Sequence, residues 1–245
     1  MLPAFFQSFS RFVPQLSTIA VLVPLSLLYG LAWAAIVAIL HRRGVAVAYT
    51  RKIFHFAVFT AAGFVQLRYG LGGVMVFGST VSLLVIAAVF HGPHDPLFKA
   101  LARPRDEPHR RTFILIPLVT TAVGGVICNL LFPGYAYVGY LVCGWGDAVG
   151  EPVGMRWGRH RYRVPSMRGV PAERSIEGSA AVFLVGALAA TIGILAAGDG
   201  VTSLHAGSLG MVAGLAGALV EAISTHGLDN LTIQVAVAGV LTLIA

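Results

Sequence analysis

Repeated apolar runs, each near the length needed to cross a bilayer, constrain this chain more than any other feature. They fall roughly at 16–40, 53–70, 71–90, 112–132, 135–155, 175–197, 206–225 and 229–245. A helix rises about 1.5 Å per residue, so about twenty apolar residues cover the hydrocarbon core. Eight runs predict eight helices in one all-α, polytopic integral membrane domain over residues 1–245. The 245 residues are 57% hydrophobic and only 11% charged, too few charges to cover a soluble domain of this size. The first run follows Arg11, and its stretch from Ile19 to Leu40 is longer than a signal-peptide core, which predicts a retained span.

The basic residues check this count independently. Connection one carries Arg42, Arg43, Arg51 and Lys52; connection three carries Lys99, Arg103, Arg105, Arg110 and Arg111. Connection five carries Arg156, Arg159, Arg161, Arg163, Arg168 and Arg174, so all but two of the 17 Lys and Arg fall in these three, the exceptions being Arg11 and Arg68. With eight spans, all three connections lie on one side, which the positive-inside rule makes cytoplasmic, with both termini outside. The net charge of +7 therefore reports membrane orientation and attraction to anionic headgroups or phosphate-bearing substrates, and a nucleic-acid partner is not expected. Cys128 and Cys143 both sit in apolar runs with no Cys/His pattern, which excludes a zinc finger and argues against a disulfide.

Acidic residues are scarce, and their placement carries the chemical information. Asp95, Asp106 and Glu107 fall in a hydrophilic connection, Glu173 in the basic one, and Asp199 in a short outer turn. The other five, Asp147, Glu151, Glu177, Glu221 and Asp229, lie within or at the edge of predicted helices, near the cytoplasmic ends. A carboxylate in a membrane helix is costly and faces protein or a wet cavity. Arginines of connection five can compensate these five, and so can a hard divalent cation such as Mg²⁺, which takes oxygen ligands and bridges substrate phosphates. Helix-packing salt bridges or an ion path are the alternatives.

Asp147 and Glu151 are four apart in GWGDAVGEPVGMRWG and share one helix face. The glycines around them, Gly150 and Gly154 included, leave room for a phosphate, a metal or another helix. The run is neither a phosphate-binding P-loop nor a dinucleotide fingerprint. In RSIEGS, a polar connection re-enters an apolar helix at Arg174 and Ser175. That helix start can bind phosphate with Arg174 assisting, or Ser175 can simply cap it. Glu177 there suits a cation ligand, a base or an arginine partner. Asp229 and Asn230, together with Glu221, can hold a ribose, a metal or a substrate hydroxyl, or cap the last helix. Arg51 and His55 are one turn apart and can reach one phosphate; His55 can equally be a packing donor. Asn129 falls toward the outer end of its helix.

Together, RKIFHF at 51–56, GDAVGEPVGMRWGRHRY at 146–162, RSIEGS at 174–179 and the stretch from Glu221 through DNLTI at 229–233 resemble the membrane-bound polyprenol and phytol kinase family. That family includes dolichol kinase and a CTP-dependent diacylglycerol kinase, with a distant likeness to phosphatidate cytidylyltransferases. The resemblance covers most of the chain, with Arg174 where many members carry lysine and Gln234 where proline often follows. It implies transfer of the γ-phosphoryl of CTP, or a related nucleotide, to the hydroxyl of a membrane isoprenoid alcohol such as phytol, geranylgeraniol or a polyprenol. The site would face the cytoplasm of a bacterial or archaeal membrane.

On this reading Asp147, Glu151, Glu177, Glu221 and Asp229 are the candidate Mg²⁺ ligands, and Asp147, Glu177, Asp229 and His55 the candidate catalytic groups. Arg51, Lys52, Gly150, Gly154, Arg159, Arg163, Arg174, Ser175, Gly178, Ser179 and Asn230 are the candidate nucleotide contacts. A CTP-dependent diacylglycerol kinase, a phosphatidate cytidylyltransferase-like enzyme and, outside enzymes, a carboxylate-coupled transporter are the rival expectations.

Overall fold

The computed structural model describes residues 13–165, 172–198, 200–225 and 227–245. Arg11, Arg168 and Asp199 lie outside the described residues. The chain runs α1 (Leu16–Arg42), α2 (Val47–His91), a short α3 (Pro96–Leu101), α4 (Arg110–Leu131) and α5 (Ala136–Trp157). An antiparallel ribbon, β1 (Arg161–Val164) and β2 (Ala172–Ser175), then leads to α6 (Ile176–Ala197), α7 (Ser203–Ile223) and α8 (Asp229–Ile244).

All eight expected apolar segments are helical. The second and third form the two arms of α2, interrupted at Gly70, whose φ of 64° and ψ of −160° belong to a region that side-chain-bearing residues avoid. The arms flank one shared cavity, and Tyr29 of α1 touches both, donating to the Ala57 carbonyl at 2.8 Å and meeting the Phe77 ring edge-on. Among the described residues, α1, α2, α4, α6 and α7 are long and apolar enough to cross a membrane.

The first arm of α2 starts at Val47 rather than near 53, so Arg51 and Lys52 are helical. Within the polar connection at 156–174, the stretch Arg161–Val164 pairs with Ala172–Ser175 as the ribbon, with Arg161 opposite Ser175 and Arg163 opposite Glu173.

Helix α5 sits at the centre, buried almost continuously from Ala136 to Gly144. It packs on α2, α6 and α8, and α6 packs on α7. Small residues let these backbones approach, as membrane helices require. A Cβ at Gly178 would lie 2.7 Å from the Gly150 carbonyl, and one at Gly214 2.6 Å from the Ala187 nitrogen. Gln234 is fully buried on α8, bonded to the Asn230 carbonyl, and the glycines at 124 and 139 pack against it. Helix α4 rests mainly on α8 and touches α2 sparingly, which leaves a gap between α4 and the α2 arms.

Candidate active site

Three basic connections, far apart in sequence, meet at one end of the bundle. Lys52 of α2 reaches Asp147 of α5, with Nζ 2.8 Å from Oδ2. Arg103, from the segment after α3, donates to Asp106 at 2.9 Å and to Glu151 at 3.3 Å, and Arg105 meets the same Glu151 oxygen at 3.0 Å. Arg174, on β2, stands between α7 and α8, 2.6 Å from Glu221 and 3.2 Å from Asp229. Burial disfavours charge on Arg174, but the Glu221 and Asp229 carboxylates outweigh it and raise its pKa above the usual arginine value. The shared side expected for connections one, three and five is thus visible as ion pairing.

These groups surround a polar cleft of about 390 Å³. Its walls include Lys52, Arg103, Arg105, Arg161 and Arg174 facing Asp147, Glu151, Glu221 and Asp229, with Gly150, Gly154, Ser175, Gly178 and Ser179 between them. An apolar slot of about 490 Å³ adjoins it, running between the two arms of α2 and α4. Lys52, Asp147 and Asp229 line both spaces. His55 lies at the head of the slot, its Nε2 3.5 Å from Asp147 Oδ2 and its ring against Phe59. Arg51 lines the slot as well, and its Nη1 is buried without a hydrogen-bond partner, an available donor for an anion. Asn230 braces α8 to α4 by donating to Thr121 Oγ1 at 2.8 Å, and its side chain also faces the slot.

Several candidate residues have a local structural role. Ser175 caps α6, its Oγ accepting from the Gly178 amide at 3.0 Å, and still lines the cleft. The glycines at 150 and 178 serve the close crossing of α5 and α6 and also leave the cleft wall thin. Asp229 Oδ1 accepts from the Asn230 amide at 3.0 Å, a first-turn contact, while Oδ2 takes Arg174. Ser179 bonds the Tyr162 hydroxyl at 2.7 Å.

Glu177, Arg159 and Arg163 stand apart from the others. Glu177 pairs with His160 at 2.7 Å and is not in the cleft wall; helix phase turns it away while Gly178 and Ser179 face in. Arg159 and Arg163 are exposed outside the wall, and Arg161 is the ribbon residue that enters it. In the sequence the charges of Arg103 and Arg105 read as orientation signals, and no feature of ARPRDEP reveals that the segment folds over α5.

The donor set suits a cation that arrives with phosphates better than one held in a cage. Among the described residues, no three His, Cys, Asp or Glu group as a metal site. Yet the Asp147, Glu221 and Asp229 carboxylates face one cleft, and Glu221 Oε2 is buried with no hydrogen-bond partner. Mg²⁺ is commonly held by one or two carboxylates plus substrate phosphates, which this arrangement allows.

No family model matches the sequence, and no solved structure matches it. A phytol kinase of Synechocystis sp. is 31% identical over 188 residues, covering 75% of this chain and 74% of that protein. With that identity over that coverage, the chain belongs to the phytol/polyprenol kinase family.

Proposed function

We propose that the chain is a lipid-alcohol kinase that moves the γ-phosphoryl group of CTP to the hydroxyl of a membrane isoprenoid alcohol. One observation carries this reading: a charged cleft and an apolar slot meet at Lys52, Asp147 and Asp229. A reaction that joins a triphosphate to an oily alcohol needs such a junction, because each reactant requires a surface that the other would avoid. The phytol kinase relative supports the alcohol as acceptor. The choice of CTP follows the motif resemblance.

Phosphoryl transfer depends on positioning and charge stabilisation more than on covalent help from the protein. Arg105, Arg161 and Arg174 line the cleft where a triphosphate would sit, and Arg51, whose Nη1 is buried without a hydrogen-bond partner, lines the adjoining slot beside Lys52. Asp147 and Glu221 would hold Mg²⁺, which neutralises charge on the phosphate oxygens when bound. Lys52 holds Asp147 in place through the 2.8 Å contact. The alcohol, its tail in the slot, presents its oxygen at the head. That oxygen forms a bond to the γ-phosphorus as the bond to the β–γ bridging oxygen breaks, and a nucleoside diphosphate leaves. Asp229, facing both spaces, takes the hydroxyl proton, and His55 orients the hydroxyl from the slot side.

The test supplies purified protein in lipid with Mg²⁺, γ-labelled CTP or ATP, and a panel of prenols, phytol, polyprenol and diacylglycerol. Label entering the lipid phase from CTP supports the reading and names the acceptor. Pyrophosphate release with a CMP-bearing lipid would replace it with a cytidylyltransferase. A folded protein that does neither, but carries ions down a gradient, would replace it with a transporter.

A further inference from the structure

The slot has a head, two walls and a floor, and the floor is polar. Gln66 of the first α2 arm donates to Asn129 Oδ1 at 2.7 Å. Asn129 of α4 in turn donates to the Tyr140 hydroxyl of α5 at 2.8 Å and to the Gly125 carbonyl at 2.9 Å. Tyr140 and Gly125 line the slot, whereas Gln66 and Asn129 line a separate cavity at the opposite end of the bundle. The hydrogen-bonded layer is therefore a partition between the two spaces. A hydrocarbon tail gains nothing by entering it, since displacing any partner would strand a buried amide or hydroxyl.

The distance from head to floor is short. Asp147 and Tyr140 are two turns apart on α5, about 10 Å, and His55 and Gln66 are about 16 Å apart on α2, at the helical rise. An extended chain advances roughly 5 Å per four-carbon repeat, so about two to three isoprene repeats fill the space. The flank is open: Met75 and Ser79 of α2 and Ala122 and Val126 of α4 line the slot and are exposed. Any tail longer than the slot leaves sideways into lipid.

Gly78 stands on the second arm midway between Leu71 and Val85, about 10 Å from each along the helix. It lines the slot, and a Cβ built there meets nothing within 4 Å. Most membrane-helix glycines exist to admit a neighbouring helix, but Gly78 faces empty space. We infer that the slot is a chain-length-limited well for the alcohol tail, floored by Gln66, Asn129 and Tyr140, and that Gly78 sets its usable depth. This rests on the kinase reading for the identity of the ligand, and on the cavity alone for its shape.

The test measures binding and transfer separately, with the full chain in lipid nanodiscs and a series of prenols of ten, fifteen and twenty carbons. Binding is read from the concentration of alcohol that raises the unfolding midpoint. In the wild type, affinity should rise several-fold from ten to fifteen carbons, because each buried methylene adds to it, and change less than about twofold from fifteen to twenty, where added carbons leave the well. Gly78→Leu should move that plateau back to ten carbons. Val126→Phe, one turn from Asn129 and so nearer the floor, should move it less and guards against a folding defect in the first variant. An affinity that climbs evenly to twenty carbons in the wild type, or one profile shared by all three proteins, overturns the well. A plateau that shifts as described without labelled phosphate reaching lipid supports the well and sinks the kinase reading; transfer without any plateau does the reverse.

Discussion

The polar cleft and the apolar slot are neighbours built on opposite principles. Every carboxylate lining the cleft is already engaged: Asp147 by Lys52, Glu151 by Arg103 and Arg105, Glu173 by Arg161, Glu221 and Asp229 by Arg174. Buried charges survive only when paired, and removing one partner leaves the other exposed to the full desolvation penalty. The slot has no such interdependence. Its walls are side chains such as Phe59, Phe77, Val81 and Val85, held by ordinary packing, and a change at one of them alters shape without stranding a charge. The difference teaches that cleft substitutions should alter chemistry and folding together, whereas slot substitutions should alter which tail fits.

The sharpest way to break that contrast is Asp147→Asn, which keeps the shape and removes the charge. Transfer should fall by about a thousandfold or more, as losses of transition-state charge stabilisation do, while the prenol-induced shift in unfolding midpoint stays near that of the wild type. Near-normal turnover would remove Asp147 from the reaction. Arg174→Ala comes next: it leaves Glu221 and Asp229 buried without their cation, a change worth about 3 kcal/mol or more of stability. Arg174→Lys should recover most of that stability, though one ammonium replaces the two-pronged contact. If the alanine protein melts with the wild type, the pairing is dispensable.

Arg105 is more than half exposed, so Arg105→Ala should raise the KM for nucleotide by about fivefold or less, the scale of a surface ion pair, with kcat and melting unchanged. An effect on prenol affinity instead would blur the boundary between the two regions. The smallest effect belongs to Glu177→Gln. Its carboxylate pairs with His160 outside the cleft, so turnover should stay within about twofold, an ordinary surface outcome. A large loss would return Glu177 to the site that its sequence position suggests.

What could be read from the sequence follows the same division. Asp147, Glu221 and Asp229 stood out because an acid in an apolar helix is rare and expensive, and the structure does gather them. Arg174 was marked by its place at a helix entrance. Glu177 shares that entrance, but one residue of helix phase separates it from the inward-facing Gly178 and Ser179, and a boundary that can drift by a residue or two cannot resolve such a phase. The eight apolar runs gave the helix count, and even the Gly70 break coincides with the gap between two of them. The slot left no trace. Phe77 or Val81 facing a cavity is the same residue type as one facing lipid, and only the return of the second α2 arm beside α4 distinguishes them.

The α2 arms are joined by the chain at Gly70 and fastened again at their far ends, where Thr50 Oγ1 donates to the Ala100 carbonyl at 2.6 Å just beyond the second arm. Like a buckle closed at both ends, the pair is held at either tip. On the kinase reading, a guest alcohol would enter edgewise through the exposed long side, with its oily part travelling in the membrane plane and its oxygen arriving last at the charged corner. Nothing greasy has to be dragged past an ion pair, and nothing charged has to leave water to meet it.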